Sequence, residues 1–407
     1  MAVLKKDIRR FSKNMSKGKI AIIGIGEVPT RNMPERTHWD IIYDTCMEAV
    51  RDSGLNKNDI EGVISVAPQA QPKITAELSF GKLPEELGFK GCKDAVSCNA
   101  GGASTSNCLR MAEQWIENGI AKAVLIQHVT VHSTIPIPDL INFFAKAGVD
   151  QQWEYPYGST YNIIMGLMAK RYMHETGCTP EEMASVVTAL RSWASRDPNS
   201  ILYGKEVPSV EKIMKSSLLN TPLHKRESNL LADGGCAMVV VSAAEAKKMK
   251  RPAAYKLGES VRYFSGTPLM RDFHKVAEGF YLTAKEAMAQ AGITKDDVSL
   301  WNIYLAYSLG HPLMAEALEV APLGQAGKYF AQGRMSFGGD IPWSTIGDAV
   351  GRGHTGSGVS AALYVETARQ LMGRAGERQV KDCRYVFQNT AGGSGFNNIA
   401  TIWGRDF

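Results

Sequence analysis

The stretch Glu48-Ala49-Val50, followed by Gly54-Leu55-Asn56-Lys57-Asn58-Asp59-Ile60, returns as Glu286-Ala287-Met288 and Gly292-Ile293-Thr294-Lys295-Asp296-Asp297-Val298. The offset is constant: 238 residues separate Glu48 from Glu286 and Ile60 from Val298. Each copy reads as the end of an amphipathic helix, a glycine stop, a polar turn and then an apolar strand. The strands are expected at Gly62–Ala67 and Leu300–Ala306. Solenoid repeats run about 20–50 residues, so this period is too long for one. It marks a fold built from two similar halves.

Working outward, each half shows a second unit. In the first, the expected strand Ala95-Val96-Ser97-Cys98 runs into Asn99-Ala100-Gly101-Gly102-Ala103-Ser104. A helix follows with Leu109, Ala112, Trp115 and Ile116 on one face; Gly119 ends it and Lys122–Ile126 is the next strand. In the second half Gly353-His354-Thr355-Gly356-Ser357-Gly358 opens a helix through Leu371. Tyr385–Gln388 is then a strand, Ala391-Gly392-Gly393-Ser394-Gly395 a loop, and Ile399–Trp403 a last strand. Strands alternating with helices give the α/β class. Residues 130–235 read as a loop-rich inserted cap, punctuated by segments such as Trp153-Glu154-Tyr155-Pro156-Tyr157. The expected division is a basic N-terminal arm at 1–18, a first half at 19–252 that holds the insertion, and a second half at 253–407.

Composition narrows the function classes. The 407 residues leave room for two to three domains of about 150 residues each. The net charge of +5 suits an anionic substrate and makes no case for nucleic acid. No apolar run approaches the roughly 18 residues of a membrane span, and the charged start Met1-Ala2-Val3-Leu4-Lys5-Lys6 is unlike a secretory signal. Seven cysteines without C-x-x-C spacing argue against a disulfide framework or a zinc site within this chain. A reduced, cytoplasmic protein is expected.

Cys98 is the leading chemical candidate. It sits where a strand meets a small-residue helix start, whose free N–H groups and positive dipole end favour the nucleophilic thiolate. The competing reading is a buried structural thiol. His354 holds the equivalent place in the second half, so halves packed about a pseudo-twofold would bring thiol and imidazole together as nucleophile and base. His128, His132 and His311 are weaker candidates. The glycines at 101–102 and 392–395 can present N–H groups to an oxyanion, and Asp233-Gly234-Gly235 reads as a tight turn. Ile22-Ile23-Gly24-Ile25-Gly26 hints at a dinucleotide loop, but Pro29 and the charge after it break the helix that motif needs.

Together these segments resemble the thiolase superfamily, in its lipid-transfer (sterol-carrier-protein) branch, from about Lys19 to the C-terminus. The anchors are Ile22–Pro29, Ser97-Cys98-Asn99-Ala100-Gly101-Gly102-Ala103, Leu230-Leu231-Ala232-Asp233-Gly234-Gly235-Cys236-Ala237, Met314-Ala315-Glu316-Ala317-Leu318, Gly353-His354, Gly376-Glu377-Arg378-Gln379-Val380 and Gln388-Asn389 with Gly392-Gly393-Ser394-Gly395. The resemblance implies the duplicated five-layered αβαβα thiolase fold. It also implies Cys98 as nucleophile, His354 as its base, and an oxyanion site of N–H groups near Cys98, Gly392 and Gly393. Thr355 replaces the family's proline after the histidine. The family's H-D-C-F segment falls on Tyr304-Leu305-Ala306-Tyr307, and its C-terminal acid/base cysteine on Asn389 or a neighbour. The usual second proton-transfer residue is therefore missing, and Tyr304, Tyr307, His311 or water is expected in its place.

The activity implied is an acyl-CoA C-acyltransferase that cleaves a β-keto acyl-CoA with free coenzyme A. The alternatives are a Claisen-condensing or acyl-transferring relative, and a non-catalytic acyl-CoA- or lipid-binding scaffold. The resemblance extends to the thiolases of anaerobic toluene breakdown, which resolve 2-benzoylsuccinyl-CoA into benzoyl-CoA and succinyl-CoA; Trp153, Tyr155, Tyr157, Phe337 and Trp343 are the expected aromatic walls. No covalently bound cofactor is implied, and coenzyme A is a substrate. The implied partners are a second copy in a homodimer and a small zinc-ribbon/OB-fold subunit, the only expected source of zinc.

Overall fold

The repeated stretch is a helix–turn–strand unit in space. The computed structural model describes residues 18–66, 79–263, 273–392 and 397–407, so residues 1–17 of the basic arm and Gly393 lie outside the described residues. Its strands are β1 (Ile20–Arg31), β2 (Gly62–Val66), β3 (Asp94–Cys98), β4 (Ala123–Thr130), β5 (Leu218–Asn220), β6 (Leu223–His224), β7 (Asp233–Ser242), β8 (Ala254–Tyr263), β9 (Leu300–Ile303), β10 (Tyr385–Gly392) and β11 (Asn397–Gly404). Helix His38–Ser53 stops at Gly54, whose φ of 74° is the left-handed value glycine adopts without strain. A turn at Lys57–Asp59, capped reciprocally by Asn56 and Asp59, then leads into β2. In the second copy, helix Phe273–Ala291 ends before Gly292 (φ 68°), Thr294 and Asp297 cap the turn Lys295–Asp297, and β9 follows.

The duplication continues into the sheet. Nine strands run in the order β3-β2-β4-β7-β1-β8-β11-β10-β9. Read outward from its middle, β1-β7-β4-β2 is matched by β8-β11-β10-β9. The halves join where β1 and β8 pair antiparallel at Ala21–Tyr255 and Ile22–Ala254. Among the described residues, the place of β3 in the second half is taken by a parallel bridge between Trp301 and Trp343. Period-two burial splits the core. Ile20, Ile22, Ile64, Val124 and Ile126 face helices Ser104–Glu117 and Gly358–Leu371, while Ala21, Ile23, Val63 and Leu125 face the outer helices. Helix Gly358–Leu371 touches strands of both halves, so the layers are helix, half-sheet, inner helices, half-sheet, helix. This is the thiolase fold.

Several expected boundaries move. β9 stops at Ile303 instead of Ala306, because Leu305 donates its N–H to the Asp348 carboxylate (2.6 Å). β10 runs on to Gly392, so Ala391 and Gly392 are strand, not loop. Asp233-Gly234-Gly235 opens β7 and is no tight turn: the Asp233 carboxylate accepts N–H bonds from Met33 (2.7 Å), His132 (2.6 Å) and Ser133 (2.8 Å). The insertion is less than half α-helix, with helices Ile137–Gly148, Tyr161–Thr176, Pro180–Ala194 and Val210–Met214 and the β5–β6 hairpin set among its loops. The Thr179–Glu182 capping box and the buried face of Met183, Val187, Leu190 and Ala194 carry that helical signal. Gly24 and Gly26 serve packing, since a Cβ on either would strike a backbone carbonyl of helix His38–Ser53.

Candidate active site

Cys98 is the last residue of β3. The turn after it closes on itself, with Ala100 N–H donating to Ser104 Oγ (2.9 Å) and Gly101 N–H to Asn99 Oδ1 (3.2 Å). The helix begins only at Ser104, so Cys98 precedes its first turn. The Cys98 thiol faces Cys108, which reaches back from the helix. That hydrogen bond holds Cys98 below the ordinary thiol pKa against the opposing effect of its burial, and it pushes fully buried Cys108 well above. All seven cysteines are free thiols, and burial raises Cys46, Cys92, Cys178, Cys236 and Cys383. Of the seven, only Cys98 is held below the ordinary thiol range.

His354 does not open a helix as expected. The helix starts at Gly358, and His354 lies before it in a bridge with Leu231, its N–H on Leu230 O (2.5 Å) and its carbonyl accepting from Ala232 N–H (3.1 Å). Its ring is buried, and the pKa is pushed down to about 3, first by that burial and then by nearby His132. The ring is therefore neutral. Nε2 stands 3.5 Å from Tyr304 Oη, while Nδ1 has no hydrogen-bond partner among the described residues. The two inner helix starts do meet. Thr105 Oγ1 lies 3.1 Å from Ser360 Oγ, and buried His128 bridges Thr105 (3.1 Å) and Ser357 (2.9 Å). The bonds of the chemical side chains nevertheless run from Cys98 to Cys108 and from His354 to Tyr304.

Tyr304 is the element between them. Its N–H donates to Asn389 O (3.3 Å), which places it beside the position where the second cysteine was expected. A Cβ on Gly102 would strike the Tyr304 ring and the Ala391 carbonyl, so the turn after Cys98 lies directly against this tyrosine. A Cβ on Gly392 would likewise strike the Ala100 carbonyl. Burial, then the charge of Asp348, pushes the Tyr304 phenol well above its usual pKa and keeps it protonated. Asn389 offers no proton transfer, since its amide donates to Asn398 Oδ1 (2.6 Å) and Ile399 O (3.2 Å). The insertion reaches in as well: Tyr307 Oη donates to Asn162 Oδ1 (2.5 Å), and Tyr161 raises the pKa of both Tyr304 and Tyr307.

Other candidates go elsewhere. His311 is fully buried in helix Gly310–Ala317, where it bonds Trp343 and stands beside Asp348. Trp343 is core and Phe337 packs on Trp193 and Arg196, so neither is a cleft wall; Trp153 and Tyr157 are exposed. Sequence reasoning missed Cys108, Tyr161 and Asp348, whose roles depend on chain folded back from elsewhere. The His354 loop is anchored through Arg352, whose guanidinium bonds Glu27 (2.5 Å) and Asp197 in a buried network with Arg369, Glu366 and Arg378. Its three arginines balance three carboxylates, so removing one partner alone leaves a buried charge costing about 3–5 kcal/mol. Among the described residues no group of three or more His, Cys, Asp or Glu is placed to hold a metal ion, and no helix is long and apolar enough to cross a membrane.

Residues 268–405 match the family model described as thiolase C-terminal domain-like. The chain is 25% identical over 391 residues to an acetyl-CoA acetyltransferase of Methanothermobacter thermautotrophicus, covering 95% of this chain and 99% of that protein. It is 24% identical over 389 residues to the benzoylsuccinyl-CoA thiolase subunit BbsB of Thauera aromatica, covering 93% and 95%. Among solved structures, the Ltp2-ChsH2(DUF35) aldolase superposes with a TM-score of 0.81 at 23% identity, covering 96% of this chain and 98% of that one.

Proposed function

We infer that this chain, a member of the thiolase superfamily in its lipid-transfer branch, is a thiolase-type acyltransferase that cleaves a β-keto acyl-CoA through an acyl-enzyme on Cys98. The observation that carries the assignment is the poise of Cys98: of seven cysteines it alone has a lowered pKa, and it ends β3 beside the turn that packs on Tyr304. His354 takes the Cys98 proton, and the thiolate attacks the β-carbonyl carbon. Backbone N–H groups near Cys98 and Gly392 stabilise the oxyanion. Its collapse breaks the carbon–carbon bond and releases an acyl-CoA enolate. Tyr304 gives its proton to the enolate carbon and is refilled by the imidazolium of His354. Burial disfavours that imidazolium, so the proton is passed on instead of stored. Coenzyme A then attacks the thioester, its thiol proton returns to His354 and Cys98, and a second acyl-CoA leaves. The reverse, Claisen-condensing direction uses the same residues.

The substrate we propose is 2-benzoylsuccinyl-CoA, resolved to benzoyl-CoA and succinyl-CoA. The likeness to the Thauera thiolase subunit supports it, as do Tyr161, Tyr304 and Tyr307 gathered beside the site, which suit a flat aryl group. For assembly we propose a homodimer through β3, the terminal strand of the sheet, together with a small zinc-ribbon/OB-fold subunit that brings the zinc. Two likenesses support the second subunit: the Thauera relative is itself a named subunit, and the similar aldolase, Ltp2-ChsH2(DUF35), carries two component names. A cytoplasmic protein fits this chemistry.

Intact-mass measurement after incubation with an acyl-CoA tests the assignment. An acyl adduct on the wild type that disappears in Cys98→Ala is expected, with thiolysis lost in the same variant. Full thiolysis by Cys98→Ala would end the mechanism. Comparing 2-benzoylsuccinyl-CoA with acetoacetyl-CoA tests the substrate, and a clear preference for acetoacetyl-CoA would remove the aryl assignment.

A further inference from the structure

Three buried groups behind Tyr304 take no part in the steps above. Trp343 donates its Nε1–H to His311 Nδ1 (3.0 Å). Nδ1 is thus an acceptor, which puts the ring's proton on Nε2. Nε2 lies 3.4 Å from Asp348 Oδ2, the oxygen that also accepts the Leu305 N–H at 2.6 Å. Leu305 directly follows Tyr304, so this contact grips the backbone that carries the tyrosine. Trp343, His311 and Asp348 are all fully buried. Asp348 has a φ of 49° and nearby Ser344 of 45°, left-handed values that a non-glycine residue holds only where its surroundings impose them.

We infer that Trp343, His311 and Asp348 are positioning residues that hold Tyr304 against His354 for proton transfer, an inference resting on the reading of Tyr304 as the proton donor. Each link supplies what the next requires. Trp343 selects the His311 tautomer, which sets a protonated Nε2 3.4 Å from the same Asp348 oxygen that the Leu305 N–H holds, an electrostatic contact without hydrogen-bond geometry. The carboxylate fixes the chain where β9 ends, and its charge disfavours the tyrosinate, so the phenol enters the reaction carrying its proton. His311 thereby acts through Tyr304 and not on the substrate.

Two substitutions at His311 separate positioning from packing. Glutamine can accept from Trp343 and donate to Asp348 at once, whereas leucine fills the space and does neither. His311→Leu is expected to lower the thiolysis kcat between about 10- and 100-fold, with KM and the iodoacetamide alkylation rate of Cys98 unchanged. His311→Gln should restore most of the kcat, and His311→Leu in a Tyr304→Phe background should cost nothing further. Asp348→Asn, which tolerates the left-handed backbone, should match His311→Leu. Wild-type kcat in both His311→Leu and Asp348→Asn, alongside an impaired Tyr304→Phe, would overturn the positioning inference alone. Equal loss of kcat and of Cys98 alkylation would overturn it too, because that pattern reports general disruption. A fully active Tyr304→Phe would remove the donor reading and this inference with it, leaving Cys98 as nucleophile. No turnover by the wild type on either β-keto acyl-CoA would bring down the parent reading as well.

Discussion

The lowered pKa of Cys98 comes from a neighbour ten positions along the chain. The Cys108 thiol is the first cause of the lowered Cys98 pKa, and burial works against it. Cys108→Ala removes that donor, so the thiolate should form at higher pH. The pH at which iodoacetamide alkylates Cys98 at half its maximal rate is expected to rise, and Cys108→Ser, which keeps an O–H donor, should return it partway. An unmoved midpoint in Cys108→Ala would assign the thiolate's stabilisation elsewhere. The candidacy of Cys98 was legible in Ser97-Cys98-Asn99-Ala100-Gly101-Gly102, where a short strand meets a small-residue helix start. Cys108 was not, since its meaning depends on the turn at residues 99–103 folding the helix back over β3.

At the scale of elements, His128 in β4 joins the start of helix Ser104–Glu117 to the residue before helix Gly358–Leu371. Burial, then nearby His38, pushes its pKa down to about 3, and burial alone pushes His38 to about 4. With His354 these are imidazoles that fold neutral. The unfolded chain takes up protons at them below its ordinary pKa of about 6.5, and the folded chain does not. Their contribution is therefore fully present above about 6.5 and lost progressively as pH falls towards about 3–4. Urea midpoints measured from pH 7 to pH 4 should fall steeply for the wild type. His128→Gln, whose amide can serve Thr105 and Ser357 without titrating, should fall less steeply. Equal slopes would show that His128 is not part of the acid limb. Helix boundaries in the second half were legible only in part. The polar run before Gly358 looks like a helix start, yet His354 spends its backbone on Leu230 and Ala232.

At the scale of the whole molecule, the sheet ends in β3 on one side and β9 on the other, and β3 carries the proposed nucleophile. Among the described residues β3 has no strand on its outer side, and a twofold pairing there would stiffen the strand that ends in Cys98. Size-exclusion chromatography of this chain is expected to give a dimer. Co-expression with the proposed small subunit should give a larger complex, with metal analysis finding zinc only in the small component. Full activity of this chain alone, with the two proteins eluting apart, would remove the partner from the proposal. The halves, their 238-residue offset and the α/β class were readable in the sequence, because helix stops, turn caps and strand alternation are local signals that each copy carries complete. So were the identities of Cys98, His354 and Tyr304 as candidates. The pairing of Cys98 with Cys108, of His354 with Tyr304 and of His311 with Asp348 was decided by tertiary structure alone. Each pair lies within one half, and its hydrogen bonding and desolvation depend on distances that the packing of strand, turn and helix sets and that no local pattern along the chain encodes.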